Sequence, residues 1–293
     1  MKLPAWFEED RQLVEPVLDR LLPSEETPPA IIHRAMRYSV FAGGKRLRPI
    51  LCLEAARIFD ADIQRVVPVG CALEFIHTYS LIHDDLPALD NDDLRRGKPT
   101  CHKQFGEAMA ILAGDALLTL AFQVMAEAPA DAARRVAVLR EVATAAGSVN
   151  GMVGGQVADL EAEKKPVIPE MLEYIHRAKT AALIRASVAT GALCAGAGDD
   201  DMARIRRFGE NIGWAFQVVD DILDVEESSA ALGKTAGKDK SQQKATYPAL
   251  YGLEKSHQIA AELEQKAIGE LIAYGERTSR LRELAEFLVA RRA

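Results

Sequence analysis

Six aspartates, in two groups, are the residues of this chain best suited to chemistry. Asp84, Asp85 and Asp90 lie in DDLPALD, and Asp220, Asp221 and Asp224 lie in DDILD. Each group ends a largely apolar helical run. An ionised carboxylate avoids apolar surroundings unless a cation compensates it. Two such groups on separate helices point to one shared ligand: several divalent cations with a polyanion bound to them.

Basic residues cluster nearby in the sequence. Lys45, Arg46 and Arg48 stand beside the Gly43-Gly44 turn. They form either a solvated turn or an anion site, in which glycine amides and fixed cations hold a phosphate. Arg95 and Arg96 follow the first acidic group and either neutralise it or contact the same anion. Lys179 and Thr180 interrupt an Ala-rich apolar run, where a lysine snorkels to solvent or points at a buried anion. The stretch GKTAGK, with Lys234, is a glycine-punctuated basic loop followed by Lys244, and it lacks the spacing of a nucleotide P-loop.

Helices must carry these groups. Gln217, Asp220 and Asp224 fall at i, i+3 and i+7, which is one helical face, and Asp221 borders it. His77 lies two turns before Asp84 on the same face, with Ser80 between them. Tyr79 lies five residues before Asp84, about 7.5 Å deeper along the axis. The first group is less regular. Asp84 and Asp90 are separated by roughly 600° of helical rotation, and Pro87 removes a backbone donor. The helix is therefore predicted to break near Pro87 so that Asp90 swings back towards Asp84. Asn91, Asp92 and Asp93 read as a solvated turn and cap. Gly151, Gly154 and Gly155 cost helix stability and predict close approach of another helix or of ligand, with Gln156 and Asp159 as candidate polar lining.

Apolar periodicity predicts helices over 5–22, from 28 to about 43, and over 50–59, 63–83, 107–126, 130–146 and 147–163. Further helices run through 179 to about 196, over 199–224, and over 246–292. No strand alternation, low-complexity tract or linker divides the chain, so residues 1–293 read as one all-α domain, a bundle of many helices around a deep central cavity. Ala and Leu are frequent and aromatics are only 6%, which favours helix over sheet. The net charge of −7 argues against general nucleic-acid binding, which needs a basic footprint. Cys52, Cys71, Cys101 and Cys194 form no Cys-x-x-Cys pair and read as buried free thiols. The N-terminus has no apolar core like that of a signal peptide. No run of about 18 apolar residues appears, so no membrane span and a cytoplasmic location are expected.

The motifs GGKRLRP, SLIHDDLPALDNDDLRRGKPTCH, GDALLTLAF, GGQVADLEAE, HRAKTAALI, AFQVVDDILD and GKTAGKD occur in this order along nearly the whole chain. The set resembles the trans-prenyltransferases, the head-to-tail isoprenyl diphosphate synthases. It looks most like the bacterial farnesyl diphosphate synthases, whose first motif also has the D-D-x-x-x-x-D spacing. The resemblance implies that Asp84, Asp85, Asp90, Asp220, Asp221 and Asp224 hold three Mg²⁺ ions bridging the diphosphate of an allylic substrate. Arg95, Lys179 and Lys234 match contacts to that diphosphate, with Lys244 a further candidate. Lys45, Arg48, His77 and Arg96 match a metal-free site for isopentenyl diphosphate. Thr180 and Gln217 match polar groups near the reacting carbons. Tyr79, with small Ser80 beside it, matches the floor that limits chain length. An aromatic there implies a fifteen-carbon product, farnesyl diphosphate, and a homodimer is implied as well.

Three other readings stand beside this one. A synthase of the same type could stop at ten or twenty carbons. A class I terpene cyclase also has an aspartate-rich motif, but GGKRLRP and the paired arginines argue against it. A non-catalytic regulatory subunit would usually have lost an aspartate or lysine from these groups.

Overall fold

The structure is a computed structural model. It describes residues 3–128, 130–162, 166, 168–232 and 246–291, except for the side chains of 227–232. The fold is all-α. The N-terminal half contains α1 (Ala5–Leu21), α2 (Ala30–Val40), α3 (Leu47–Arg57), α4 (Ile63–Asp84), α5 (Cys101–Phe105), α6 (Glu107–Ala126) and α7 (Ala132–Ala146). A two-residue antiparallel pair, β1 (Leu94–Arg95) and β2 (Lys98–Pro99), closes the loop after α4. Then come α8 (Met152–Ala162), α9 (Pro169–Ile175), a π-helical turn (His176–Ala181), α10 (Ala182–Ala195) and α11 (Asp199–Leu232). The C-terminal part is α12 (Tyr247–Tyr251), α13 (Leu253–Leu271), a 3₁₀ segment (Ile272–Thr278) and α14 (Ser279–Val289).

Two apolar clusters form the core. One gathers α1, α2, α4 and α6, and the other gathers α10, α11, α13 and α14. Helix α3 joins them. Cys52, Leu53 and Ala56 enter the first cluster, and Ile50, Leu51, Ala55 and Ile58, at the helix end, enter the second. Every α3 residue from Pro49 to Ala56 is buried. Apart from Glu54, which pairs with Arg57 and Arg280, this stretch is apolar on all sides because it has no solvent face.

Several elements depart from the sequence expectation. Helix α8 starts only at Met152, because the Gly151 Cα lies so close to α7 that a Cβ there would stand 2.4 Å from the Thr144 carbonyl oxygen. The predicted C-terminal helix is broken at Gly252 and Gly275, which have φ of 78° and 57°. Helix α11 continues to Leu232. The π-helical turn has no signal in apolar periodicity. It lies between two glycines: a Cβ on Gly155 would stand 2.2 Å from the Lys179 nitrogen, and one on Gly213 would stand 2.7 Å from Ala181 Cα. The glycines of GGQVADLEAE thus permit a close helix approach.

Helices α4 and α6 are long and apolar enough to cross a membrane by length and composition, which corrects the expectation that no segment would be. The apolar window of α4 is 72% buried, as befits a core helix, and that of α6 is 39% buried. Helix α6 leaves Ile111 and Leu112 about half exposed.

Candidate active site

Asp62 caps α4 by accepting from the Gln64 N–H at 3.1 Å, and the helix delivers Asp84 at its other end. The chain then reverses around Pro87. Leu89 and Asn91 donate to the Leu86 carbonyl at 2.9 and 3.1 Å, and Asp90 donates to the Asp84 carbonyl at 2.8 Å. Asp90 therefore returns to Asp84 through a hydrogen-bonded loop, as the proline and the spacing predicted. Burial pushes the Asp84 carboxyl up to about 6; Lys179 opposes this and Asp90 adds to it. Asp85 faces the other way. It is 3% exposed, and Arg95 Nε and Nη2 donate to its Oδ1 at 2.8 and 2.5 Å. Arg95, expected on substrate diphosphate, is here a neutralising partner. Asp93 pairs with Lys103 at 2.7 Å, and Asp92 lies 3.9 Å from Arg95, in keeping with a solvated turn.

The second group is positioned by α11. Asp220 meets Arg291 Nη2 at 3.0 Å, and the Arg291 guanidinium lies over the Phe216 ring at 4.2 Å. Burial raises the Asp220 carboxyl, with Arg291 opposing. Asp221, expected as a metal ligand, is buried among protein donors. Its Oδ2 accepts from the Tyr247 N–H at 3.0 Å and lies 3.3 Å from His176 Nε2. The His176 ring stacks on Tyr247 at 5.1 Å. Gln217 Nε2 donates to Asp221 Oδ1 at 3.4 Å, and Thr180 Oγ1 donates to Gln217 Oε1 at 2.7 Å. This chain of bonds orients the Gln217 amide. Asp224 is exposed on the α11 surface. Lys179 Nζ pairs with Asp159 Oδ2 at 2.7 Å.

Among the described residues, no three His, Cys, Asp or Glu side chains converge into a ready-made metal cage. The donor set nevertheless suits Mg²⁺, which keeps several waters and binds through one or two carboxylates plus substrate phosphates. The raised Asp84, beside Asp90, is negative charge in need of a cation.

GGKRLRP divides its cations between two tasks. Arg46 is buried, with Nε 2.9 Å from Glu15 and Nη1 3.1 Å from Glu74. Arg46 and Arg48 both border one cavity, but Arg46 is spent on the two glutamates, whereas the Arg48 Nε is buried with no hydrogen-bond partner among the described residues. Burial lowers Arg48 to about 10, and Glu74 opposes. Gly44 makes room for Arg96, whose Nη1 would stand 2.7 Å from a Cβ there. Lys45, Arg48, His77, Arg96 and Arg291 surround this cavity of about 530 Å³. A second cavity of about 330 Å³ lies beneath Asp84 and is lined by Tyr79, Ser80, Gln156, Lys179 and Thr180. Arg48 and His77 line both cavities. Burial holds the His77 imidazole well below its ordinary value, and Arg48, Arg96, Arg95 and Arg46 add to the effect. Lys234 and Lys244 lie outside the described residues.

The contacts of Arg291, His176 and Tyr247 were not evident from the sequence. Each reaches the aspartates from a distant segment, and no local spacing reports that.

The family model for polyprenyl synthetase matches residues 29–285. The chain belongs to the polyprenyl synthetase family. This polyprenyl synthetase is a prenyltransferase of isoprenoid biosynthesis of the trans-isoprenyl diphosphate synthase kind. It is 49% identical over 287 residues to the chloroplastic heterodimeric geranylgeranyl pyrophosphate synthase large subunit 1 of Arabidopsis thaliana, covering 96% of this chain and 77% of that one. It is also 49% identical over 256 residues to the farnesyl diphosphate synthase of Geobacillus stearothermophilus, with 86% of each chain covered. Among solved structures, the apo FPP/GFPP synthase of Zymomonas mobilis superposes with a TM-score of 0.87 at 38% identity, covering 96% of this chain and 97% of that one.

Proposed function

We propose that this polyprenyl synthetase condenses isopentenyl diphosphate head to tail with an allylic diphosphate, dimethylallyl or geranyl. The observation that carries the reading is the wall of Arg48 and His77 shared by two cavities, one strongly basic and one largely apolar with Asp84 and Lys179 in its lining. The cavity below Asp84 would take the allylic substrate, with its diphosphate towards the aspartates and Lys179. The basic cavity would take isopentenyl diphosphate on Lys45, Arg48 and Arg96 without metal, so that this substrate stays un-ionised. The shared wall would bring the homoallylic double bond to the allylic carbon.

Bound at the aspartates, Mg²⁺ would offset the charge that develops on the leaving diphosphate as the allylic C–O bond breaks. Lys179 would add to that stabilisation. Thr180 and Gln217, fixed to each other, would present oriented dipoles near the cation. The apolar helices would exclude water, which otherwise quenches it. No general base is required of the protein if the released diphosphate accepts the proton.

The names of the relatives support geranylgeranyl diphosphate as the product: several are geranylgeranyl diphosphate synthases, at 45% to 50% identity. One specific observation favours the fifteen-carbon product instead, namely the Tyr79 ring in the wall of the cavity beneath Asp84. Chromatography of products from isopentenyl diphosphate with dimethylallyl or geranyl diphosphate decides between them. Tyr79→Ala should lengthen the product, and an unchanged product would discard Tyr79 as the floor. If the two substrates with Mg²⁺ release no diphosphate, the non-catalytic subunit reading takes over. A homodimer belongs to the proposal as well. The half-exposed Ile111 and Leu112 of α6 support it, and sedimentation analysis tests it.

A further inference from the structure

Helix α6 approaches the end of α4 at one glycine. An ideal Cβ on Gly114 would stand 2.2 Å from His83 Nε2, 2.6 Å from Cδ2 and 3.0 Å from Cε1. The imidazole therefore lies across the bare Gly114 Cα, and no other residue type leaves it that space. His83 Nε2 is 3.1 Å from the Ile111 carbonyl oxygen. A carbonyl only accepts, so Nε2 carries the proton and donates. Asp115 Oδ1 lies beyond hydrogen-bond reach, 3.9 Å from the same nitrogen.

On its other side the ring meets Tyr79. The centroids are 5.7 Å apart and the planes cross at 79°, an edge-to-face contact. Tyr79 and His83 are i and i+4 on α4, so they sit on one flank of the helix. Tyr79, His83, Met152 and Leu160 all line the cavity beneath Asp84. His83 is wedged between the tyrosine ring and α6.

We propose that His83, seated on Gly114, is a positioning residue for product length. It holds Tyr79 across the cavity, and the imidazole keeps that seat only while position 114 carries no Cβ. The proposal rests on the reading that this cavity receives the growing prenyl tail. His83 touches neither diphosphate in this account, and its effect is exerted through Tyr79.

The test compares product distributions of His83→Gln, Gly114→Ala and Tyr79→Ala, singly and combined. A glutamine amide retains a donor for the Ile111 carbonyl but has no ring to brace Tyr79. His83→Gln should melt close to the parent temperature and raise the ratio of the next longer product to the parent product about tenfold, a low value for a changed apolar pocket wall. Gly114→Ala should do the same by displacing the ring. In the Tyr79→Ala background, His83→Gln should add little, because nothing remains to be braced. Unchanged products from His83→Gln while Tyr79→Ala lengthens them would overturn the proposal. Lengthening by His83→Gln that simply adds to that of Tyr79→Ala would overturn it too. If no variant changes the product, the tail-binding reading of the cavity falls as well. Where Gly114→Ala fails to fold, His83→Gln alone decides.

Discussion

The Asp90 N–H donates to the Asp84 carbonyl at 2.8 Å, across a loop that contains Pro87. This bond returns the third aspartate of the motif to the first, so the helix end carries more negative charge than one buried carboxylate. The Asp84 carboxyl is pushed up to about 6, above its ordinary 3.8, and burial is the main cause.

Asp84 should therefore destabilise the metal-free protein at neutral pH. A carboxyl raised on folding contributes stability that is fully present below its unfolded value and is lost as pH rises through the folded value. Asp84→Asn, a neutral isostere, should raise stability by about 3 kcal/mol at pH 8, and the gain should vanish near pH 4. Urea melts in chelator at the two pH values check this. The same variant should lose most prenyl transfer at pH 8.

Arg46 and Arg48 should separate cleanly. Arg46→Ala leaves Glu74, which is 3% exposed, without its guanidinium, and should cost about 3 kcal/mol of stability. Arg48→Ala removes a side chain whose Nε has no partner among the described residues. It should leave stability within about 1 kcal/mol and raise the KM for isopentenyl diphosphate about tenfold or more. Thermal melts and steady-state kinetics with each substrate varied in turn distinguish the two.

Lys179 is tied to Asp159 at 2.7 Å. Lys179→Ala should lower kcat about 10²-fold or more, the scale of losing one preorganised electrostatic group. Asp159→Asn should have the smaller effect, since the ammonium survives. If the two losses were equal and the double variant no worse, the pair would act as one unit. Single-turnover rates of allylic diphosphate ionisation provide the comparison.

His77 should be neutral in the free protein at pH 7, because burial and four arginines disfavour its charged form. A bound diphosphate reverses that balance. Binding of isopentenyl diphosphate near pH 6 should therefore take up protons, and His77→Gln should abolish the uptake. Calorimetry in buffers of different ionisation enthalpy measures it.

Much of this site was legible along the chain. The ordinary helix period gathered Gln217, Asp220 and Asp224, and the same period carried His77 and Tyr79 beneath Asp84. Pro87 announced the break that brings Asp90 back. These signals survive because they depend on backbone geometry within one element. The single residues of GGKRLRP were harder to assign. Its cations look alike in sequence and both arginines border the cavity, yet Arg46 is paired with Glu15 and Glu74 whereas the Arg48 Nε has no partner among the described residues.

The sequence by itself determined an all-helical chain, the two aspartate groups and the helices that carry them, because helix period and helix breaking are local. Only the tertiary structure decided which protein groups each carboxylate meets. Asp85 is held by Arg95, Asp221 by Tyr247 and His176, and Asp220 meets Arg291 from the far end of the chain. It also decided that His83 rests on Gly114. Buried charge and close packing are settled by whichever groups arrive from distant segments, and local spacing does not record those arrivals.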